Sequence, residues 1–444
     1  MRVAVLFLVY YGSALYGFFN PLFGLLFFVH ITIFRPESLA WGAPVFGRLH
    51  LISAILASVG YFLHRGLDSK FGSGRSQRVN LFVFALFLVW LTLVSVLAEV
   101  SQERSFEKLL ELAKIFALCF ILSRLLGTPR QFDMYIWVVG ISFGLLGFWG
   151  FLQGLAGNPR LDDISPGGSN YVAAQLALML PIVVTKTIEP GPLFQRMAFG
   201  GSSVAMILCL IFTESRGGFL GFAIALGVLL VSVKRRLYIV LTLMLGAAVI
   251  LPWIPSGYYQ RVSGTFAEEG QRDESSESRL VLWAIAFRIW QDYPIAGVGL
   301  GNFSPVKEGY ADQVQDLVPT QSMFELIFNR ERHTHGLYQG MLAETGAVGV
   351  VLFLALLIGN VTKPLPRMLN ESDKANIRLV MQMKAIRAGI IGFSVSAIFG
   401  DFQYIETFYW QLFLLGAMHD YFARVAADDA PPGFEGQKLA AWNS

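Results

Sequence analysis

The sequence predicts an all-α membrane protein with about twelve transmembrane helices, thirteen being possible, and one large external loop that contains amphipathic helices. Three features predict this class: a very apolar composition, a series of long apolar runs, and basic patches on alternate connections. Hydrophobic residues make up 55% of the 444 positions and charged residues only 15%, whereas soluble domains carry about 25% charged residues. Most of the surface must therefore face lipid. The net charge of +3 is too small to suggest a nucleic-acid partner.

The apolar runs set the number of crossings. A transmembrane helix needs about 20 apolar residues, and runs of suitable length and composition recur along the whole chain. They lie near 49–64, 79–98, 106–126, 133–153, 171–189, 197–213, 217–233, 237–254, 337–361, 385–401 and 406–423.

The N-terminal segment is harder to assign. Residues 3–34 are too long for one straight span, and Asn20-Pro21 interrupts them. They form either one crossing plus an interfacial piece or two short crossings. Only Arg2 precedes the apolar run, and no small-residue cleavage pattern follows it. We therefore expect a retained first span, and a removed signal peptide is the less favoured interpretation.

Lysine and arginine set the orientation, because cytoplasmic connections are enriched in them. Basic patches occupy 64–78, 123–130, 234–236 and 363–387, on alternate connections. This pattern places 154–170, 213–217 and 255–336 outside the cell membrane and the C-terminal tail inside. With a cytoplasmic N-terminus, residues 1–34 cross once and the total is twelve, which we expect; an external N-terminus gives thirteen. The predicted organisation has transmembrane helices in 1–254, the large loop in 255–336, further transmembrane helices in 337–424 and a cytoplasmic tail in 425–444.

The large loop is predicted to contain an amphipathic helix. In SESRLVLWAIAFRIWQDYP, apolar residues recur at helical spacing, with Ser276 or Ser278 as a candidate N-cap and Pro294 and Gly297 beyond the end. Such an aromatic-rich helix would rest at the headgroup level of the outer leaflet. The stripe consists of Leu280, Trp283, Ala284, Phe287 and Trp290.

Two of the six histidines, His333 and His335, stand directly before the apolar run 337–361. A zinc site needs three or four ligands, and the other histidines are scattered, while Cys119 and Cys209 lie within apolar runs. We therefore expect no metal. The residues either cap a helix or provide a neutral imidazole as general base, a role that suits a pKa of about 6.5.

Arg216 lies in the short turn TESRGGFLGF between two apolar runs, on the predicted external face. It is either an interfacial anchor, since an arginine can keep its charge in water there, or a phosphate ligand. Gly217 and Gly218 favour the second interpretation, because glycine allows close approach of a ligand to the backbone.

Further arginines lie on the predicted external face of the membrane, as Arg216 does. Arg279 and Arg288 are nine positions apart, which places them on opposite sides of a helix, so we expect one of them, Arg279, at a shared site. Arg160, Arg330 and Arg332 add positive charge. The cluster is typical of a site for a lipid-linked phosphate or diphosphate. The glycine-rich stretch GVGLGN follows no βαβ strand, so a dinucleotide site is not expected.

Four segments, in order, resemble the O-antigen ligase and polymerase (Wzy-C) superfamily, and in particular its ligases. GGSNYVAAQLALMLP is similar to an Asn-containing span of the family, and ESRGGFLGF to its S-R-G-G turn. SRLVLWAIAFRIWQDYPIAGVGLGNF resembles the segment that joins an arginine and a tryptophan to P-x-x-G-x-G-x-x-F. HGLYQGMLAETGAVGVVLF resembles the signature that enters a membrane helix through L-A-E-x-G. RPESLAWG is similar to ligases of the branch associated with exosortase systems.

The resemblance implies a bacterial inner-membrane glycosyltransferase whose large loop and active site face the periplasm. Such enzymes move a glycan from undecaprenyl diphosphate to a sugar hydroxyl of lipid A–core, without nucleotide sugar, metal or other cofactor. The family's histidine corresponds to His335. Its arginines correspond to Arg216, Arg279 and, less directly, Arg288. Accessory roles are implied for Arg160, Asn170, His333, Arg332, Tyr338 and Glu344.

Three positions depart from the family pattern: Gly336 stands where relatives often carry Asn or Ser, and Gln339-Gly340 replace the more usual Leu-Gln. Glu344, deeper along the helix, is either functional, as an intramembrane acid tends to be, or packed against a helix N-terminus elsewhere. A glycan polymerase and a protein O-oligosaccharyltransferase of the same superfamily remain alternatives. A lipid-linked glycan transporter is less favoured, because the mid-membrane segments are mostly apolar.

Overall fold

The chain folds into a bundle of helices in the computed structural model, which describes residues 2–35, 49–64, 74–157, 167–232, 274–318, 320–366 and 374–428. No strand occurs within these ranges. Arg160, the predicted span 237–254, the first part of the large loop and the tail beyond 428 lie outside the described residues. The described helices are α1 (Arg2–Phe19), α2 (Pro21–Phe34), α3 (Leu49–His64), α4 (Arg75–Val96), α5 (Gln102–Leu125), α6 (Pro129–Leu155), α7 (Gly168–Ile188), α8 (Leu193–Phe212), α9 (Arg216–Ser232), α10 (Glu274–Asp292), α11 (Phe303–Val306), α12 (Gln321–Phe328), α13 (Leu337–Val361), α14 (Lys374–Ser396) and α15 (Glu406–Asp428).

Six of the helices in the described ranges are long and apolar enough to cross a membrane, which supports an all-α, multi-pass membrane protein. They are α4, α6, α7, α8, α13 and the stretch Ala375–Phe399. Helices α2, α3 and α9 are apolar but shorter, as is Phe7–Phe19 within α1. Helix α5 has the length but begins QERSFEKLLELAK, so its first half is too charged to qualify.

The connections alternate between two ends of the bundle. The loop end carries 97–101, 213–215, 293–336 and 397–405, and there Glu99 N donates to Val298 O at 3.0 Å. The basic end carries 126–128, 189–192 and 362–366, and there Asp420 in α15 caps α4 by accepting from Ser76 N at 2.8 Å. This arrangement matches the alternation that the lysine and arginine pattern predicts for the described connections.

The N-terminal segment forms a helical hairpin. Asn20 ends α1, its side chain accepts from Phe23 N at 3.3 Å, and Pro21 begins α2, where its missing N–H is not needed. Rings pair across the hairpin, with Tyr16 and Phe23 4.9 Å apart between centroids. Both ends of residues 2–35 therefore lie on the same side of the bundle. The hairpin agrees with two short crossings of residues 3–34, which was the alternative, rather than with the single crossing that we expected. The total number of crossings stays a prediction, since the predicted span 237–254 lies outside the described residues.

Helix α13 is interrupted where the large loop packs against it. Gly346 has φ 65° and ψ −173°, which breaks the helix after about two and a half turns. The interruption releases backbone groups that bond instead to the GVGLGN region and to α4. The bonds are Val298 N to Ala343 O at 3.0 Å, Gly299 N to Glu344 O at 3.0 Å, Ala347 N to Pro294 O at 2.9 Å and Trp90 Nε1 to Thr345 O at 3.0 Å. The glycine-rich stretch thus fixes the loop to the helix that follows the histidines.

The amphipathic helix α10 is present, but its packed face is not the predicted stripe. The side chains that enter the loop's hydrophobic core are Val281, Leu282, Ile285, Ala286 and Ile289. Leu280 and Phe287, from the predicted stripe, are 52% and 48% exposed. The predicted N-cap was also wrong, because the helix extends back to Glu274 and both Ser276 and Ser278 lie inside it.

Candidate functional site

His335 is held at the loop end by the carboxylate of Asp401, in the connection between α14 and α15. Asp401 Oδ2 accepts from the backbone N of His335 at 2.9 Å, and Oδ1 accepts from Thr334 Oγ1 at 2.7 Å. A third bond joins Gly336 N to Oδ1 at 3.3 Å. These bonds hold His335 at φ 51°, a left-handed conformation that non-glycine residues rarely adopt. The bonds to Asp401 therefore fix the backbone from which the imidazole projects.

The surroundings keep the His335 imidazole neutral near pH 7. Burial is the main cause that lowers its pKa from the ordinary value of 6.5, and the charges of Arg279 and Arg332 lower the pKa further, with a contribution from His333. Asp401 acts in the opposite direction, with its Oδ2 atom 3.8 Å from Nδ1. At that distance the interaction is electrostatic rather than a hydrogen bond. A neutral imidazole beside a carboxylate is able to accept a proton and then be stabilised as a cation.

The two arginines of α10 take different positions. Arg279 is half-buried, and its guanidinium interacts electrostatically with His335. Arg288 is exposed on the other side of the helix. The structure thus brings one of these two predicted ligands to the histidine, as the nine-residue spacing predicts, and does not bring the other.

Arg216 begins α9 at the same end of the bundle. Ser215 Oγ accepts from Gly218 N at 3.2 Å, as an N-cap does, and donates to Asn170 Oδ1 on α7 at 2.7 Å. Asn170 therefore orients the turn that carries Arg216. Glu214, on the other side of that serine, has φ 51°, so this turn also holds a non-glycine residue in the left-handed region.

The glycines beside Arg216 pack against protein, which corrects the prediction that they admit a ligand. A Cβ on Gly217 would lie 3.1 Å from Phe399 Cβ, and one on Gly218 would overlap Ala173 of α7. Ser396 Oγ also donates to Gly217 O at 3.1 Å. Small residues are needed here because α7, α9 and α14 approach closely.

The segment 396–401 joins the predicted motifs into one site. Its Ser396 and Phe399 contact the turn of Arg216. Phe399 also faces Trp283 of α10, with ring centroids 6.2 Å apart, and Asp401 holds His335. The sequence predicted no functional residue in the connection GDFQYIE (400–406). Asp401 is the site residue that sequence reasoning missed, and no local pattern marks it.

The accessory residues fall into two groups. The side chains of Tyr338 and Glu344 form hydrogen bonds to backbone groups. Tyr338 OH donates to Ser394 O at 2.9 Å. Glu344 Oε1 accepts at 3.2 Å from the N–H of Phe303, the first residue of α11. Glu344 therefore packs against a helix N-terminus, as the second interpretation predicts, and its functional role stays a prediction. Arg330 and His333 are exposed and Arg332 is half-buried.

Lys307 anchors the irregular segment that leads to the histidines. Its side chain is buried, and Nζ donates to Arg330 O at 2.6 Å and to Ser304 Oγ at 3.3 Å. Ser304 Oγ in turn accepts from Arg332 N at 3.2 Å. Burial lowers the pKa of Lys307 to about 8. A buried cation thus fixes the backbone of the basic segment 330–332.

These features define a class: a multi-pass helical membrane protein whose loop end brings a neutral imidazole together with guanidinium groups beside the membrane helices. Residues 201–354 match the family model described as O-antigen ligase, and this match supports membership of the O-antigen ligase superfamily. The match also supports an enzymatic role of the ligase or polymerase type. Residues 1–158 match a second model, for a family of unknown function (DUF5935). No curated protein matches the chain.

Proposed function

We propose that the protein is an O-antigen ligase that transfers O-antigen polysaccharide from undecaprenyl diphosphate to a sugar hydroxyl of lipid A–core. The observation that carries the proposal is the placement of His335. Asp401 holds its backbone, and the charge of Arg279 acts on its imidazole. His335 also belongs to the segment that matches the O-antigen ligase family. A site that combines a base with fixed positive charges suits a reaction in which a hydroxyl loses a proton and a diphosphate leaves.

The loop end is assigned to the periplasm and the other end to the cytoplasm of a bacterial inner membrane. The support is the positive-inside rule, since the basic end carries described cations such as Arg75, Arg124 and Lys363, which lie on connections or helix ends. With the N-terminal hairpin counted as two short crossings, the chain would cross the membrane thirteen times. The active site then meets the lipid-linked donor at the outer leaflet.

In the proposed reaction His335 accepts the proton of the acceptor hydroxyl while that oxygen attacks the anomeric carbon of the donor. The bond between this carbon and the diphosphate oxygen breaks, and its electron pair leaves with the undecaprenyl diphosphate. General-base catalysis of this kind contributes about 10²–10⁴-fold in rate. Asp401 stabilises the imidazolium that forms, because its carboxylate lies beside Nδ1.

Arg216 and Arg279 are proposed to bind the departing diphosphate. An arginine fork bonds two phosphate oxygens at once, and fixed cations stabilise charge as it develops on the leaving oxygen. Arg216 is the first residue of α9 at the loop end, where the helix N-terminus adds partial positive charge. Protein groups thus supply the charge stabilisation, and the proposal includes no metal.

Reconstitution with defined substrates tests the proposal. Purified protein is mixed with lipid-linked O-antigen and lipid A–core, and products are separated by gel. Wild type should attach the glycan to lipid A–core, whereas His335→Ala and Arg216→Gln should lose at least 100-fold in rate while retaining helical content and membrane insertion. A longer lipid-linked donor without product on lipid A–core would instead identify a polymerase.

A further inference from the structure

Helix α10 has a second apolar side, opposite to the side that enters the loop's core. At 100° per residue, Leu280, Trp283 and Phe287 lie within about 60° of one another around the helix, and Trp290 lies beside them. We call these four residues the outer stripe. The side chains of the loop's core point to the other half of the helix, and the members of the outer stripe are half-buried or exposed. The described part of the chain thus leaves an apolar helix face only partly covered.

The turn that follows α10 lies level with the outer end of a membrane helix. Helix α4 has 22 residues and is therefore about 33 Å long, close to the hydrocarbon thickness of about 30 Å, so Val96 lies near the edge of the hydrocarbon layer at the loop end. Just beyond this end, Glu99 N donates to Val298 O at 3.0 Å, and Glu99 Oε1 accepts from Tyr293 OH at 3.1 Å. These bonds hold residues 293–298 at the edge of that layer.

Ile295 projects from this turn and is 65% exposed. The residue before it is fixed to a membrane helix, because Pro294 O accepts from Ala347 N of α13 at 2.9 Å. Two apolar side chains that follow α4, Leu97 and Val100, are 66% and 57% exposed at the same level. Apolar side chains at this depth are exposed to lipid, so the turn continues the lipid-facing surface of α4.

The other end of the outer stripe also meets the membrane helices. The ring of Trp283 lies 6.2 Å from that of Phe399 between centroids, and Phe399 ends the apolar stretch Ala375–Phe399 that is long enough to cross a membrane. Phe399 also packs against Gly217 in the first turn of α9. Both ends of α10 are therefore attached to the membrane helices at their outer ends, and the side that carries Trp283 is directed toward them.

Charged groups border the outer stripe on both sides. At 100° per residue, Arg279 lies about 80° to one side of Phe287 and Arg288 about 100° to the other. Gln291 lies on the stripe's side in the last turn of the helix. An apolar stripe between basic residues is typical of helices that lie in the membrane interface, and tryptophan is enriched at the headgroup level.

We infer that the outer stripe and Ile295 insert into the bilayer leaflet at the loop end, with phospholipid acyl chains as the occupant of this apolar surface. Helix α10 then lies in the plane of the interface, and the guanidinium of Arg288 meets headgroup phosphates. Arg279 is held at the depth of lipid-borne phosphates, which deepens the role proposed for it with the donor diphosphate. The lipid contact itself does not depend on transfer activity.

Spin labels measure the depth of this surface. The full-length protein, with Cys119→Ala and Cys209→Ala as background, carries a label through Phe287→Cys or Ile295→Cys in nanodiscs of phosphatidylethanolamine and phosphatidylglycerol. Oxygen concentrates among acyl chains and a nickel chelate in water, so collision rates with the two reagents report what surrounds each label. Gln315→Cys is the matched control, because Gln315 is exposed among polar residues of the same loop.

We expect the ratio of oxygen to nickel collisions to be at least about fivefold higher at 287 and 295 than at 315, since interfacial helices bury their apolar face below the headgroups. Ratios equal to that of the control would place the outer stripe in water and overturn the inference. Low collision rates with both reagents would mean that protein covers the stripe, either a second copy or another segment of the chain, and would also overturn it.

Photolabelling tests the same contact in the unmodified protein. A hydrophobic diazirine reagent is dissolved in the nanodisc bilayer and activated by light, and the labelled residues are mapped by mass spectrometry. Adducts at Phe287 and Ile295, without adducts in 312–316, support the lipid contact, whereas adducts confined to the membrane helices contradict it. Neither measurement requires glycan transfer, so an inactive protein leaves the lipid contact in place, and a water-exposed stripe leaves the proposed function in place.

Discussion

The carboxylate of Asp401 accepts the backbone N–H of His335 at 2.9 Å and lies 3.8 Å from the Nδ1 atom of the same residue. One side chain thus fixes the backbone of the proposed base and also acts on its charge. The two residues are 66 positions apart, and the contact joins the start of α13 to the connection between α14 and α15. If His335 is the base, Asp401 is a positioning residue whose loss changes both the rate and its pH dependence.

Asp401→Asn should lower kcat at least tenfold and move the acidic limb of the pH profile to lower pH. The carboxylate raises the pKa of His335, so its removal lets the imidazole remain neutral at still lower pH, while the cation formed in the reaction loses its partner. The profile of kcat/KM between pH 4.5 and 8 checks the shift. Asp401→Glu should restore part of the rate, and Glu325→Gln, on the exposed side of α12, should change nothing. An acidic limb that stays at the wild-type pH would show that Asp401 does not influence the titration of His335.

Arg332→Gln should move the acidic limb in the opposite direction, to higher pH. The charge of Arg332 lowers the pKa of His335, so its removal lets the imidazole gain a proton at a higher pH and activity then declines sooner on acidification. Arg288→Gln is the matched control, because Arg288 is exposed on the far side of α10. Equal profiles for the two variants would contradict the electrostatic role of Arg332.

Arg279→Gln and Arg288→Gln also separate the two candidate diphosphate ligands of α10. We expect Arg279→Gln to lose at least 100-fold in kcat/KM, since about 3 kcal/mol is typical when one fixed donor to a developing charge is removed. Arg288→Gln should remain within threefold of wild type. Transfer rates measured with one lipid-linked donor test this difference. Comparable losses of kcat/KM in the two variants would mean that Arg288 also binds the diphosphate.

Sequence patterns predicted the elements that local physics determines. The apolar runs and basic patches predicted the alternation of the described connections, and helical periodicity separated Arg279 from Arg288 because 100° per residue is a property of any α-helix. His335 was singled out because an ionisable residue stood directly before a membrane helix. Each of these inferences needs only residues close together in the chain.

Features that depend on distant contacts were missed or misassigned. Asp401 has no local signature, since its partners lie in another connection. Gly217 and Gly218 suggested ligand access, but the space beside them is filled by Phe399 and Ala173, which only the packed bundle reveals. The stripe of α10 was assigned from periodicity alone, which cannot show which of two apolar faces meets the loop's core.

Lys307 predicts a stability effect that depends on pH. Its pKa is lowered from 10.5 to about 8 by burial, so between these values the unfolded chain binds more protons than the folded one, and stability rises with pH. The unfolding free energy of wild type relative to Lys307→Met should therefore increase by about 1–2 kcal/mol from pH 8 to 9.5. Chemical unfolding in detergent measures this difference, with Lys114→Met as the control, since the side chain of Lys114 is exposed whereas that of Lys307 is buried. A difference that is constant with pH would show that the buried Lys307 keeps an ordinary pKa.

Gly346→Ala tests whether the interruption of α13 holds the site together. Gly346 has φ 65° and ψ −173°, a region that is essentially restricted to glycine and costs other residues about 1–3 kcal/mol, and an added Cβ would overlap Ile295 O. The substitution should lower the unfolding free energy by at least about 2 kcal/mol and release residues 294–299 from the broken helix. Hydrogen exchange should then rise at Val298 and Gly299, whose N–H groups bond to α13, and ligation should fall because the loop that carries Arg279 moves relative to His335.

Gly359→Ala is the matched control in the same helix, since no atom lies within 4 Å of its added Cβ, and it should be neutral or stabilising by up to about 1 kcal/mol. Equal stability and equal exchange in the two variants would mean that α13 tolerates a continuous helix at Gly346, and the attachment of the loop would then need another explanation.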